Sequence, residues 1–150
     1  MGFFKPLDYW TLAADEDIVS NDIYPDPSDP EAPLLAAMTH DFVRSLGGGA
    51  PWILMEQAAS RVSGWQRRYV MKPPGQQRLW SYQALAHGAD AVLFFQWRAS
   101  LFGAEKFHGA MLAHAGARTA SWHEVVRVGA ELPARPPGSR PIGSGPRVCT

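Results

Sequence analysis

The chain has 150 residues, 46% hydrophobic and 19% charged, with fourteen Lys+Arg against fourteen Asp+Glu and a net charge of zero. This is the length of one ordinary domain, and the mix excludes a disordered chain, a coiled coil and a fibrous repeat. The lack of a basic excess argues against nucleic acid as a partner, and no apolar run reaches the roughly 18 residues of a membrane span.

A single cysteine, Cys149, leaves no internal disulfide framework and no thiolate zinc site. The opening MGFFKPLDYW is too short and too soon acidic for a signal peptide. Pro6 stands where N-myristoylation needs Ser or Thr. A cytoplasmic protein without membrane contact is expected. Six Trp residues are many for this length, and Trp suits places that need a flat apolar face with a polar handle.

In chain order, residues 17–22 predict a short strand with Ile18 and Val19 buried. A loop dense in turn residues follows from Tyr24 to Pro30. Asp29 is placed to cap a helix with Pro30 at its first position. That helix is expected to run to about Leu46, with Leu34, Leu35, Met38, Phe42, Val43 and Leu46 at helical spacing. The Gly47–Gly49 run ends it. Trp52–Met55 is a continuous apolar run, as a strand buried on both faces requires, and it terminates in Glu56 and Gln57. After a loop to about Pro74, a helix is predicted near 75–87, closed by Gly88. A third buried strand covers 90–97, a long loop leads to Lys106–His114, and a last helix spans about 120–131. Strand, loop and helix recur three times, which predicts a parallel α/β sheet with helices outside.

Polar residues gather at the carboxyl end of each predicted strand: Ser20, Asn21 and Asp22; Glu56 and Gln57; Gln96, Trp97 and Arg98. Ligands of open α/β sheets and of barrels sit at that end. Three strands cannot close a barrel, and a whole (β/α)8 barrel takes roughly 250 residues. The sheet must be open here or belong to something larger. A carboxylate that ends an apolar strand at the ligand face, as Glu56 does, can carry chemistry or simply pair with an Arg such as Arg78 or Arg98.

Pro51-Trp-Ile-Leu-Met-Glu-Gln57 resembles the β-galactosidases of glycoside hydrolase family 42. The resemblance covers most of the chain. Met1–Trp10 resembles the approach to the family's strand six, and Asp17-Ile-Val-Ser-Asn-Asp-Ile-Tyr-Pro25 that strand itself. The stretch from Lys72 to Asp90 resembles the helix after strand seven, Ala91–Arg98 strand eight, and Gly103-Ala-Glu-Lys-Phe-His108 the loop beyond. The family fold is a TIM barrel followed by further domains. The reaction is hydrolysis of terminal β-galactosides with retention. The resemblance implies that residues 1–132 are the last three βα units of that barrel, an α/β unit incomplete on its own, with Met1 an internal methionine.

Retention needs two carboxyl groups roughly 5–5.5 Å apart, one as nucleophile and one as acid and base. The resemblance makes Glu56 the nucleophile. The family's acid/base lies in an Asn-Glu pair at the end of strand four, and no Asn-Glu occurs here: the only Asn, Asn21, precedes Asp22. The chain as it stands lacks half of the catalytic pair, and is expected to be inactive alone. Glu105 and His108, three positions apart, are implied to hydrogen-bond galactose hydroxyls, and Trp65 to stack on the sugar. Trp65 lies in Val62-Ser-Gly-Trp65, where the family usually reads Val-Asn-Trp, one residue shorter. Asp22 and Tyr24 end strand six and face the same cleft, either touching sugar or serving the loop. Trp97 is as well suited to packing as to substrate contact, and Arg98 can hold a carboxylate by a bidentate bond.

No metal site and no cofactor are expected. His123-Glu124 lacks the second His of a zinc-protease helix, and the glycine run lacks the Lys and Ser/Thr of a phosphate loop. Residues 133–150 hold five prolines and read as a low-complexity tail, a linker or the product of a shifted frame. Full-length relatives are implied to be homotrimers. A cut barrel bares strand edges and apolar faces, so the isolated chain is expected to be aggregation-prone or only partly ordered. The second reading, of a different class, is a non-catalytic carbohydrate-binding or complementing half that pairs with a separate N-terminal barrel half.

Overall fold

The computed structural model describes residues 6–61 and 70–132. Trp65, Cys149 and the tail after Leu132 lie outside the described residues. The elements are α1 (Tyr9–Ala13), β1 (Ser20–Ile23), α2 (Ala32–Leu46), β2 (Trp52–Ala58), α3 (Gln76–Ala86), β3 (Ala89–Phe95), a 3-10 turn (Ala104–Phe107) and α4 (Ala120–Glu131). Among the described residues the strands form one sheet in the order β1-β2-β3, parallel throughout. Parallel neighbours need crossovers, and α2 and α3 supply them. No helix among the described residues is long and apolar enough to cross a membrane.

The core lies between the sheet and these helices. Val19, Ile23, Trp52, Leu54 and Ala89 from the sheet side meet Ala36, Val43 and Ala84 from the helices. Trp52 is wholly buried. Its indole N–H donates to the His87 carbonyl at 3.2 Å, and its ring lies 5.1 Å from that of His40.

The helix over β1 and β2 does not bury the face that its large apolar residues suggested. Leu34, Leu35 and Met38 are exposed, while Ala32, Ala36, Thr39, His40 and Val43 are buried. Those five lie on one face at helical spacing. The small side chains of Ala32, Ala36 and Thr39 among them let the helix approach the sheet closely, which long leucines would prevent. Phe42 instead packs edge-on against Tyr9 and Trp10 of α1, at 5.9 and 6.3 Å. The sequence pattern did not indicate α1. Asp8 caps it, accepting from the Trp10 and Thr11 amides at 3.1 and 3.3 Å.

Other boundaries shift by a few residues. β1 spans Ser20–Ile23 rather than 17–22, and Ile18 is 58% exposed because it precedes the strand. Asp29 does not cap α2. Its side chain accepts from the Glu31 amide at 2.8 Å, forming a turn one step before the helix, and the proline in the first turn is Pro33. β2 continues through Ala58, so Glu56 lies within the strand. β3 stops at Phe95, two residues short of the expected end. The last helix keeps its expected span, with the Thr119 hydroxyl accepting from the Trp122 amide at 3.3 Å.

The first turn of α3 is capped from a distance. Gly75 stands at the N-cap and has no side chain to offer. Glu124 of α4 takes that place, accepting from the Gly75 amide at 3.2 Å and the Arg78 amide at 3.0 Å. A carboxylate at a helix N-terminus satisfies orphan N–H groups and opposes the helix dipole. Further along α4, Glu131 receives Arg78 Nε at 2.7 Å and the Tyr82 hydroxyl at 3.0 Å.

Candidate active site

Alternation along a strand sends successive side chains to opposite faces. Trp52 and Leu54 point into the helix-covered core, so strict alternation would send Glu56 there as well. A register irregularity prevents this. Against β1, Asn21 pairs with Leu54 but Asp22 pairs with Glu56, so β2 carries one extra residue at Met55. The pairing with β3 also slips between Leu54 and Gln57. Such a bulge re-aims the side chains beyond it. Gln57 takes the core side, donating to the buried Ser81 hydroxyl of α3 at 3.0 Å, and Glu56 turns to the opposite face.

There Glu56 meets the residues that follow β1 and β3. The Tyr24 hydroxyl donates to Glu56 Oε2. The Tyr24 ring lies edge-on to His108, with centroids 5.6 Å apart, and Phe95 of β3 meets the same imidazole at 4.8 Å. Glu105, on the 3-10 turn, reaches His108 Nδ1 through Oε2 at 3.4 Å. His108 is buried and Glu105 is 47% exposed, so the pair joins a buried imidazole to a partly exposed carboxylate. Asp22, Tyr24, Glu56, Glu105 and His108 therefore form one cluster at the carboxyl end of the strands.

The electrostatics follow from crowding acids in a half-buried site. Burial first, and the neighbouring Glu56 second, push the Asp22 carboxyl above its usual range. Burial, the bond to Glu56 and the surrounding carboxylates push the Tyr24 phenol strongly upward, which keeps it a proton donor. Burial pulls His108 down, and Glu105 and Glu56 oppose that in part. A neutral imidazole with one ring nitrogen toward Glu105 leaves the other available. His108 Nε2 has no partner among the described residues.

The polar clusters read from the sequence thus divide. Asp22 and Glu56 face the site, whereas Asn21 and Gln57 are buried toward the helices. Arg78 pairs with Glu131 and not with Glu56, and Arg98 makes no ion pair with a described residue. Trp97 packs edge-on against Trp122 of α4 at 5.8 Å. No group of His, Cys, Asp and Glu among the described residues could hold a metal ion.

Three supporting residues escaped the sequence reading. Phe95 was counted only as part of an apolar strand. The Lys72 amine donates to the Ala58 carbonyl, two residues past Glu56, and lies 4.7 Å from the Trp80 ring. Desolvation brings it down to about 7. Gly109 donates to the Arg61 carbonyl at 2.7 Å, and a β-carbon there would collide with Ser60 and the Arg61 backbone. Only glycine lets the chain after His108 pass so close to the end of β2. A glycine directly after a candidate site residue was the one signal for this.

A sequence profile of glycoside hydrolase family 42, β-galactosidase, matches residues 1–134. The chain belongs to this family. It is 51% identical over 133 residues to β-galactosidase bgaB of Geobacillus kaustophilus, covering 88% of this chain and 20% of that protein. Against β-galactosidase LacZ of Heyndrickxia coagulans it is 49% identical, with the same coverage. The crystal structure of β-galactosidase from Bacillus circulans sp. alkalophilus superposes with a TM-score of 0.82 at 45% identity, over 89% of this chain and 19% of that one. The cold-adapted β-galactosidase of Rahnella sp. R3 gives 0.82 at 41% identity, over 89% and 20%. The three parallel βα units are a portion of a family 42 TIM barrel. The chain spans about a fifth of the length of the curated relatives it matches.

Proposed function

We propose that this chain carries the nucleophile side of a retaining β-galactosidase site. Glu56 attacks the anomeric carbon of a terminal β-galactoside through a carboxylate oxygen. The glycosidic C–O bond breaks, the leaving oxygen takes a proton from an acid, and a covalent glycosyl-enzyme remains. Water then attacks the same carbon and releases Glu56, so the configuration is retained. Tyr24 holds the carboxylate at Oε2 and orients it. Glu105 and His108 bind sugar hydroxyls, and Trp65 stacks on the apolar face of galactose.

The observation that carries this reading is the Tyr24–Glu56 hydrogen bond beside the Glu105–His108 pair, at the strand ends where barrel enzymes bind substrate. These 150 residues contain no Asn-Glu pair, so in this reading the acid comes from barrel strands outside them. Residues 1–132 are the catalytic part, and the chain alone is inactive.

Hydrolysis of a chromogenic β-galactoside tests this. The chain by itself should give no turnover. Adding a polypeptide with the first five βα units of a family barrel should give turnover that Glu56→Gln abolishes. Turnover unaffected by Glu56→Gln would refute the assignment. Saturable galactose binding with no turnover after complementation would favour the second reading, a carbohydrate-binding half without catalysis.

A further inference from the structure

The ladder that would hold Glu56 is interrupted. On the β3 side the pairing slips between Leu54–Val92 and Gln57–Phe94, so neither Met55 nor Glu56 has a register partner there. Residues at a bulge take their direction from what holds the strand around them. Gln57 pairs with Ile23 at the end of β1. Beyond it, among the described residues, β2 has a strand neighbour on the β3 side alone, where Ala58 meets Phe95.

Two side-chain anchors take over at this point. The Gln57 amide donates to the Ser81 hydroxyl of α3 at 3.0 Å. The Lys72 amine, from the segment leading into α3, donates to the carbonyl of buried Ala58. An antiparallel bridge between Arg61 and Met71 brings the returning chain alongside the end of β2, and so delivers Lys72 to that carbonyl. The same amine lies 4.7 Å from the ring of Trp80, itself buried in α3. Withdrawing an amine from water is costly. The carbonyl, the ring face and the Glu124 carboxylate offset that cost. An apolar chain of the same length would serve packing alone. The amine adds a fixed donor at the end of β2, two residues past Glu56.

We propose that Lys72 is a positioning residue for Glu56: by holding the Ala58 carbonyl against α3 it fixes the end of β2, and with it the direction in which the Glu56 carboxyl meets the Tyr24 hydroxyl. Its service to the reaction rests on the reading of Glu56 as nucleophile, since a nucleophile must be held in line with the carbon it attacks. Lys72 acts through the strand.

Carboxyl-carbon NMR of the full chain, labelled at Glu side chains and free of sugar, reads the placement of Glu56. Its signal is the one lost in Glu56→Gln, and Tyr24→Phe gives the shift that accompanies loss of the hydroxyl. Lys72→Met keeps the length and removes the donor, and should move the Glu56 signal in that same direction. Lys72→Arg restores a donor and should leave the signal near its original place. An unmoved signal in Lys72→Met would overturn the proposal, and so would an equal shift in Lys72→Arg. The Lys72 ammonium signal of the unsubstituted chain, recorded at mildly acidic pH, needs no variant. It should exchange slowly with water, and free exchange would overturn the proposal even where Lys72→Met does not fold. In the complemented enzyme Lys72→Met should lower kcat about 10- to 100-fold with KM within about twofold, and Lys72→Arg should recover most of the loss. Turnover kept by Lys72→Met but abolished by Glu56→Gln would reject the role of Lys72 and keep the proposed function. A moved Glu56 signal with no turnover after complementation would keep the placement by Lys72 and reject the proposed function.

Discussion

The two faces of the sheet are built on different terms. On the helix side, Trp52 and Leu54 are shielded almost completely and Gln57 has a hydrogen-bond partner in Ser81. On the other side, Met55 and Leu93 are 40% and 41% exposed, next to a cluster holding Asp22, Tyr24, Glu56, Glu105 and His108. Parallel sheets are ordinarily covered on both faces. Stability is concentrated on the first face and chemistry on the second, so substitutions on the two should separate. Those on the helix side should unfold the chain, and those on the site side should leave the fold and change the site.

Trp52→Ala makes the largest hole on the helix side and should cost about 3–5 kcal/mol, enough to abolish cooperative unfolding in urea. Acidification should act next. His40 is buried, and burial with the neighbouring His87 holds it down at about 4. The unfolded chain thus binds a proton that the folded chain refuses. Stability is full above the unfolded value of 6.5 and falls as pH drops from there to about 4, by roughly 3 kcal/mol. Urea midpoints at pH 7 and pH 4 check this, and His40→Leu should flatten the difference.

Glu124→Ala removes the remote cap of α3 and should cost about 1 kcal/mol, seen as a lower urea midpoint. On the site side the sign should reverse. Asp22→Asn removes a carboxylate that the fold holds in an unfavourable setting, and should leave stability at pH 7 unchanged or raise it by under about 1 kcal/mol. A loss as large as that of Trp52→Ala would erase the distinction between the faces.

Most of the helix-side architecture was legible in the sequence. Trp52–Met55 read as a buried strand, Gly88 marked the end of α3, and α4 was placed at its observed span. What failed was the face of α2, because hydrophobicity alone favours Leu34, Leu35 and Met38, whereas contact with the sheet is decided by the small size of Ala32, Ala36 and Thr39. The site was legible in its residue types, since Glu56, Tyr24, Glu105 and His108 stood out by their position or by resemblance. Its geometry was not. The bulge that turns Glu56 away from the helices leaves no mark in the residue pattern, and neither does the reach of Glu124 to a helix 46 residues earlier in the chain. Both depend on register and packing between segments distant in sequence.

The role of Glu56 is open to direct chemical capture. A 2-deoxy-2-fluoro-β-galactoside with a dinitrophenolate leaving group departs without a proton donor, so trapping needs the nucleophile but not the missing acid. Incubated with the chain and the complementing barrel strands, it should leave a fluorogalactosyl group on the peptide containing Glu56, located by mass spectrometry and lost in Glu56→Gln. A label on any other carboxylate, Asp22 foremost, or no label in a complex that binds galactose, would contradict the account.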